Sequence, residues 1–246
     1  MDAPDRDTAL LHLRTAVERS KRQQQVPFAR NFLSSTDDTT PPLARLIRGG
    51  RGGGTRLKLY LTITMMVTRS PHDIHQPPSS RLWARTLAMA DPSAPRRITS
   101  NLKWLHNNKF IALTPRAGAI PKITLLDPTG TGDAYVRPLL SGDTYVTLPL
   151  DLWNQGWILK LSPTALALLM VIRDVQQTKD APRYANRQLH DSYQLSWDTW
   201  TRASQELVGH ALLETTRVPQ GGDFDYQRMR NLYRINLERF TSQPTW

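Results

Sequence analysis

An internal repeat of about 100 residues constrains the fold of this chain more than any other feature of its sequence. Two runs that are apolar almost all round, K-L-Y-L-T-I-T-M-M-V and A-L-A-L-L-M-V-I-R, lie 107 residues apart; Pro42–Gly50 precedes the first as Pro149–Trp157 precedes the second. Farther along, Ile98–Leu113 parallels Trp200–Thr215 at an offset of 102. Helices that are apolar on most sides are buried on most sides. The repeat therefore predicts two copies of one small fold, each built around a buried helix.

The end of the second copy is predicted to be a helix followed by a hairpin. Ser196 is a good N-cap for a helix that begins at Trp197, because serine accepts a hydrogen bond from the free amides of the first turn. Trp200, Ala203 and Leu207 then fall at the spacing of one buried helical face. After a turn-rich stretch, the run N-L-Y-R-I-N-L alternates apolar and polar residues, which indicates a half-buried strand.

The first copy shows the same order of features: a buried first helix, a short second helix, a third helix with one polar face, and a hairpin. The second helices are predicted at Ser80–Leu87 and Arg187–Tyr193, and Ser162-Pro163 gives the buried helix of the second copy a defined start. This order is typical of a winged helix-turn-helix. We therefore predict an α+β, mainly α chain with two tandem winged helix-turn-helix domains and an N-terminal helical arm.

The predicted domain boundaries follow changes in composition. The arm and a linker occupy residues 1–40, the first winged-helix domain 41–127, a turn-rich connector 128–143 and the second winged-helix domain 144–246. The apolar stripe of the arm is thin, which predicts a loosely packed leading helix. A dimerisation arm or a DNA-backbone arm is the functional alternative.

The charge of the chain is unevenly distributed. Lysine and arginine total 32 against 21 aspartate and glutamate residues, a net charge of +11 that favours a polyanionic partner. Residues 44–126 hold fourteen basic and two acidic side chains, whereas residues 151–246 hold eleven and ten. The two copies are therefore expected to differ in function.

The absence of cysteine excludes disulfides and thiolate zinc sites. No apolar run is long enough to cross a membrane, so we expect a cytoplasmic protein without membrane contact.

DNA contact is predicted for the polar faces of the two third helices, because helix-turn-helix proteins place such a helix in the major groove. In the first copy the candidates are Arg96, Arg97, Thr99, Ser100 and Lys103, with Arg116 and Lys122 on the hairpin. In the second copy they are Thr199, Arg202 and Gln205, with Arg217, Arg228 and Arg230 on the hairpin. Charge favours the first copy as the main reader, with Arg97, Ser100 and Lys103 facing the groove and Ile98, Leu102 and Leu105 facing inward. Solvated faces of ordinary surface helices are the alternative.

Other motifs carry little chemistry. The glycine cluster G-G-R-G-G-G lacks the Gly-Lys-Ser/Thr ending and the preceding strand of a phosphate-binding loop, so nucleotide binding is rejected. His72, Asp73 and His75 offer three metal ligands without a fourth in view. No nucleophile motif or acid–base pair is recognisable. We expect no cofactor, no bound metal and no enzymatic activity.

The duplication, size and charge together resemble the tandem winged-helix replication initiators of plasmids, over roughly residues 41–240. The resemblance implies a sequence-specific double-stranded DNA-binding protein of a plasmid or mobile element, which binds repeats at a replication origin. It also implies a homodimer and contacts with host replication proteins. In such initiators the C-terminal copy is the strong reader, whereas the charge of this chain favours the N-terminal copy.

Two other classes of protein remain open. A transcriptional repressor or plasmid-partition adaptor would use the same fold and charge but would bind an operator rather than iterated repeats. A scaffold built from winged helices would show protein partners and little salt-sensitive DNA binding. Dimer contacts are expected on the second copy or the N-terminal helix, because fourteen cations against two acids would repel across an interface built from the first copy.

Overall fold

The structure is a computed structural model that describes residues 6–23, 25–35, 39–48, 52–138, 144–176, 183–184, 191–220 and 228–246. Within these ranges the chain is α+β, with helices accompanied by three small antiparallel sheets. No helix in the described part of the chain combines the length and the apolar character that crossing a bilayer requires.

The first half of the molecule runs from residue 6 to residue 125. Its elements are α1 (Arg6–Ser20), β1 (Gln25–Ala29), α2 (Arg30–Leu33), α3 (Pro42–Ile47), α4 (Gly53–Met66), β2 (Asp73–Ile74), α5 (Ser80–Thr86), α6 (Ala94–Asn107), β3 (Ile111–Arg116) and β4 (Ala119–Leu125). The short second helix predicted at Ser80–Leu87 is thereby confirmed as α5.

The second half runs from residue 145 to residue 241. Its elements are β5 (Tyr145–Pro149), α7 (Asp151–Asn154), α8 (Trp157–Lys160), α9 (Pro163–Gln176), β6 (Arg183–Tyr184), α10 (Trp197–Gly209), β7 (Leu213–Gln220), β8 (Arg228–Ile235) and a 3-10 turn (Glu238–Thr241). The helix predicted at Arg187–Tyr193 lies mostly outside the described residues, and its last residues, 191–193, are helical.

The internal repeat is visible in the order and burial of these elements. The strand order is β2-β4-β3 in one half and β6-β8-β7 in the other, and α4 and α9 each have 14 residues. At the offset of 102, the buried positions of α6 and α10 coincide, as in the pairs Ile98/Trp200 and Leu105/Leu207. Both helices also end in the same turn: the amides of Phe110 and Leu212 donate to the carbonyls five residues earlier, at 2.9 Å each.

One part of the predicted alignment is wrong. Pro42–Gly50 was matched to Pro149–Trp157, but Pro149 is the last residue of β5, and α3 corresponds in order to α8, Trp157–Lys160. The two segments share an initial Pro-Leu and an apolar pattern, yet Pro149 is paired in a sheet whereas Pro42 begins a helix. The alignment taken from the sequence is therefore shifted by one helix, because it sets α3 against α7 instead of α8.

The two halves are joined by pairing their equivalent strands. β1 and β5 form a two-stranded antiparallel sheet with Gln25 opposite Pro149 and Ala29 opposite Tyr145. Because equivalent strands run antiparallel about a central pair, Pro27 and Thr147, the halves are related there by an approximate two-fold axis. Proline is tolerated at this position because an edge strand leaves one row of amides unpaired.

The hydrophobic core is continuous across the two halves. The buried helices α4 and α9 pack against each other, and one cluster includes Tyr60 and Trp83 of the first half together with Trp153 and Trp157 of the second. The residues before and after the predicted connector 128–143 thus contribute to one core, which also includes Tyr135 of that segment. The N-terminal helix belongs to that core as well.

The prediction of a loosely packed N-terminal arm was wrong. α1 contacts α4, α5 and α7, and its residues Ala9 and Leu13 are fully buried. The apolar stripe of α1 is thin, but elements of both halves pack against it and bury it.

A polar link also crosses between the halves. Arg30 of α2 donates to the buried carboxylate of Asp174 on α9 at 3.1 Å, and the hydroxyl of Tyr193 donates to the same carboxylate oxygen. Asp174 raises the pKa of Arg30, while burial and the same carboxylate raise the pKa of Tyr193. Since a buried carboxylate is costly without partners, these bonds hold the halves in one arrangement.

Candidate nucleic-acid interface

α6 presents a cationic face to solvent. Its buried residues, Ala94, Ile98, Asn101 and Leu105, fix the rotation of the helix. Arg96, Ser100, Lys103 and Asn107 therefore lie opposite the core, at the spacing i, i+4, i+7 and i+11 of one helical stripe. None of the 14 residues of α6 is acidic. The inward orientation predicted for Ile98 and Leu105 is confirmed, and Leu102 is partly buried against the core.

The structure divides the five α6 candidates between that stripe and its edges. Arg96, Ser100 and Lys103 lie on the stripe, and Thr99, whose hydroxyl donates to the carbonyl of Pro95 at 3.1 Å, is exposed beside it. Arg97 lies on the flank that faces α4. Its guanidinium donates to the hydroxyl of Thr55 at 3.4 Å and forms an ion pair with Asp91 at 3.7 Å. Arg97 is thus partly held by contacts within the protein. Arg96 occupies the outward-facing position that the sequence analysis predicted for Arg97.

Three further arginines flank α6, and we call Arg45, Arg48 and Arg56 the basic flank. Arg56 stacks on Trp104 of α6, with 3.8 Å between the guanidinium carbon and the ring centroid, and donates to the carbonyl of Arg48 at 3.1 Å. Burial lowers the pKa of Arg56. The three arginines and Trp104 line an open cleft of about 440 Å³. Sequence reasoning missed them as site residues, although they lie inside the cationic segment 44–126.

The described glycines of the glycine cluster allow the chain to pass close to α3 and α6. A Cβ atom on Gly53 would lie 2.4 Å from the carbonyl oxygen of Ile47, which no side chain tolerates. A Cβ atom on Gly52 would lie 3.1 Å from the side-chain oxygen of Asn101. Residues 49–51 of the cluster lie outside the described residues. Close packing therefore explains Gly52 and Gly53 without a nucleotide.

The two candidates of the first hairpin are engaged by the β2 segment. Lys122 of β4 forms an ion pair with Asp73 at 3.0 Å, with both side chains mostly buried. Arg116 of β3 donates to the carbonyl of His75 at 2.6 Å. The charge of Lys122 is therefore balanced within the protein by Asp73, which argues against a strong contribution of this residue to contact with the DNA backbone.

At the positions equivalent to the exposed stripe of α6, α10 presents a nearly neutral face to solvent. Asp198, Arg202, Gln205 and Gly209 lie opposite its buried residues, and Arg202 pairs with Asp198 at 3.1 Å. Thr199 is half-buried, because its hydroxyl accepts a hydrogen bond from the N-cap Ser196 at 2.8 Å. Of the three α10 candidates, Arg202 and Gln205 are thus outward-facing, and Thr199 belongs to the start of the helix.

The second hairpin is longer than the first, with eight residue pairs between β7 and β8. Arg217 is exposed on β7, and Arg230 is half-buried on β8, opposite Val218. The backbone of Arg228 pairs with Gln220, while its side chain lies outside the described part of the structure. Arg217 is therefore exposed to solvent on the hairpin and is not part of the exposed face of α10.

The histidine-containing segment has a packing role. The ring of His72 contacts that of Tyr135 edge to face, at 5.0 Å between centroids, and Asp73 is paired with Lys122. Burial lowers the pKa of His72, and the nearby charges of Arg137 and Arg22 lower it further. Among the described residues no three histidine, aspartate or glutamate side chains are grouped as metal ligands.

Comparison of the chain with protein-family models and with curated proteins finds no match.

Proposed function

We propose that this protein binds double-stranded DNA through two winged helix-turn-helix units, with α6 as the main contacting helix. The observation that carries the proposal is the outward stripe of α6, which combines Arg96, Ser100 and Lys103 in a helix with no acidic residue. A helix of this kind fits the major groove of DNA, where arginine and lysine donate to guanine and serine donates or accepts. The same cations neutralise phosphates and release counterions.

The basic flank extends this surface beyond one helix. Arg45, Arg48 and Arg56 lie beside Trp104, which itself belongs to α6, so base contacts and phosphate contacts are available side by side. In known complexes phosphate contacts set the position of the protein and base contacts set its specificity. The arrangement supports a division in which the stripe reads bases and the flank holds the backbone.

For the biological role, we propose a plasmid or mobile-element replication initiator that acts in the cytoplasm at origin repeats. The support is the duplication of helix, helix and hairpin together with the size and charge of the chain. A transcriptional repressor or partition adaptor is the second candidate, because it would use the same surface. Homodimerisation and contacts with host replication proteins belong to the first proposal.

Footprinting with the full chain on the DNA that flanks its gene tests both levels of the proposal. Protection of several iterated sites supports an initiator, and protection of one operator at the gene's own promoter supports a repressor. In parallel, affinity for a random duplex should fall steeply with salt, by about 0.9 log units per log unit of salt for each phosphate contacted. Absence of binding would refute the DNA proposal and favour a protein-binding scaffold, and salt-independent binding would refute the phosphate contacts.

A further inference from the structure

A second cationic site lies away from α6, at the junction of the two halves. It is a cleft of about 650 Å³ between the end of α1, the β1–β5 sheet and the segment that follows α4. Lys21, Arg22, Arg69 and Arg137 line it, together with the ring of Tyr145. Small-molecule sites in proteins typically measure about 300–1,000 Å³, so the cleft is large enough for a ligand.

Arg22 is fixed in the wall of this cleft by the C-terminus of α4. Its guanidinium donates to the carbonyls of Met65 at 2.7 Å, Thr64 at 2.8 Å and Val67 at 2.9 Å. These carbonyls carry the partial negative charge of the helix end, which a cation stabilises. The remaining nitrogen, Nη1, is buried and has no hydrogen-bond partner among the described residues. Arg22 is therefore a rigid cation with a donor to spare.

Arg137 adds a second cation of the same kind. Its Nε atom is also buried without a partner among the described residues. Burial lowers the pKa of Arg22 to about 10, Tyr135 acts in the opposite direction, and the charge of Arg137 lowers it further. Both guanidiniums belong to residues that line the same cleft.

The part of the cleft that the structure describes contains no acid to balance this charge. Of the described lining residues, none is aspartate or glutamate, whereas four are lysine or arginine. The hydrogen bonds to the end of α4 explain why an arginine is present at position 22. They do not involve Arg137 or the exposed Arg69. Cations gathered in a partly desolvated wall raise the local concentration of anions.

We propose that this cleft binds a phosphate-bearing ligand, with Arg69 and Arg137 contacting the phosphate and Arg22 as the fixed cation behind them. Guanidinium groups match the planar pairs of phosphate oxygens with parallel hydrogen bonds, and phosphate is an anion of more than one charge at neutral pH. The site is separate from the DNA face. α6 contacts the first turns of α4 through Thr55 and Arg56, whereas the cleft lies at the other end, about 15 Å away along the helix axis.

Calorimetric titration of the full chain with inorganic pyrophosphate tests the site directly. We expect saturable binding by the wild type and a loss of about tenfold or more in affinity for the double variant Arg69→Gln/Arg137→Gln, because two charge-assisted hydrogen bonds are removed. The matched control is Arg19→Gln, an exposed arginine of α1 outside the cleft. Arg22 is left intact because it closes α4, and circular dichroism verifies the fold of each variant.

A second arm distinguishes a free ligand from a phosphate of the DNA backbone. If the ligand is free, pyrophosphate binds equally well in the presence of saturating duplex, and the double variant keeps its duplex affinity. If the phosphate belongs to DNA, duplex competes with pyrophosphate, and the double variant loses about one to two units of salt slope. If the double variant and Arg19→Gln have the same affinity for pyrophosphate and the same affinity for duplex, the proposal is overturned. Variants of Arg96 and Lys103 leave pyrophosphate binding unchanged, so failure of the DNA proposal is recognised separately.

Discussion

Equivalent exposed positions of α6 and α10 carry side chains of different charge, although the same positions of the two helices are buried. At the offset of 102, Arg96 of α6 corresponds to Asp198 of α10, and Lys103 corresponds to Gln205. All four side chains are exposed on the face opposite the core. In α10 the acid is neutralised by Arg202 at 3.1 Å, whereas α6 contains no acid at all. Since burial fixes both helices in the same rotation, the difference in charge is independent of the fold.

The contrast continues into the buried helices. Aligning the first residues of α4 and α9, Gly53 and Pro163, replaces the offset of 107 taken from the sequence by one of 110 and sets Arg56 against Leu166 and Lys58 against Leu168. Both leucines are fully buried, as a core position favours. A buried cation costs free energy that leucine does not. The first half thus keeps positive charge beside α6 at a cost in stability.

The largest expected effect comes from removing the cations of the α6 stripe. Arg96→Ala/Lys103→Ala should weaken duplex binding by at least about 100-fold, because two charge-assisted contacts of about 1.5–3 kcal/mol each are lost. The slope of log affinity against log salt should fall by about 1.8 units. The matched variant Arg202→Ala/Gln205→Ala should lose far less in the same fluorescence anisotropy titration. If the α10 variant loses more than the α6 variant, the second half is the main reader and the charge argument is wrong.

The next effect concerns the stability of the first half. Lys58 donates to the carbonyl of Leu159 at 2.9 Å, and burial lowers its pKa to about 8, with Glu206 acting in the opposite direction. Lys58→Leu should therefore raise the free energy of unfolding at pH 7 by about 2 kcal/mol, given roughly 1.4 kcal/mol per unit of pKa difference and the loss of one hydrogen bond.

The sign of the Lys58 effect with pH follows from the lowered pKa. Below pH 8 the folded state holds a charged, buried ammonium, so the gain from Lys58→Leu is fully present. Between pH 8 and 10.5 the wild type becomes more stable as the folded state releases the proton first, and the gain shrinks. Urea unfolding at pH 7 and pH 10 measures this difference. The exposed Lys103, changed to leucine, is the control and should show no such dependence on pH.

A smaller effect is expected from making α10 resemble α6. Asp198→Arg introduces the residue found at the equivalent position 96 and frees Arg202 from its ion pair. Duplex affinity should rise about tenfold, with a steeper salt dependence by about one to two units, because two more cations become available to phosphates. Glu18→Arg on the exposed side of α1 makes the same change in net charge. Equal gains from both variants would show that only the total charge matters.

The smallest effect is expected at Lys122. Because Asp73 balances its charge at 3.0 Å, Lys122→Gln should change duplex affinity less than about threefold and the salt slope by less than about half a unit. Lys103→Gln, which removes an exposed lysine from the stripe, provides the comparison. A loss of a full unit of slope for Lys122→Gln would restore the original prediction that this residue contacts phosphate.

Features set by neighbouring residues were predictable from the sequence. Ser196 caps α10 by accepting a hydrogen bond from the amide of Thr199 at 3.2 Å, and Ser162 caps α9 through the amide of Ala165 at 3.1 Å. The burial of Trp200, which follows from helical spacing, is confirmed in the same way. Caps and amphipathic spacing depend on three to seven consecutive residues, so a local pattern carries them.

Features that join distant residues were not predictable. The ion pair of Lys122 with Asp73 and the stacking of Arg56 on Trp104 connect residues that no periodicity relates. The hydrogen bond of Arg97 to Thr55, 42 residues earlier in the chain, is of the same kind. For these residues the sequence predicted a positive charge correctly, but the partner that modifies that charge depends on the packed structure.

The pairing of β1 with β5 also has a consequence for synthesis of the chain. β1 ends at Ala29, but its partner strand is complete only at Pro149, so about 120 residues must be translated in between. At about 5–20 residues per second this takes roughly 6–24 s. Throughout that interval the backbone groups of β1 that pair with β5 have no partner strand. The sheet that joins the two halves can therefore form only after β5 has emerged.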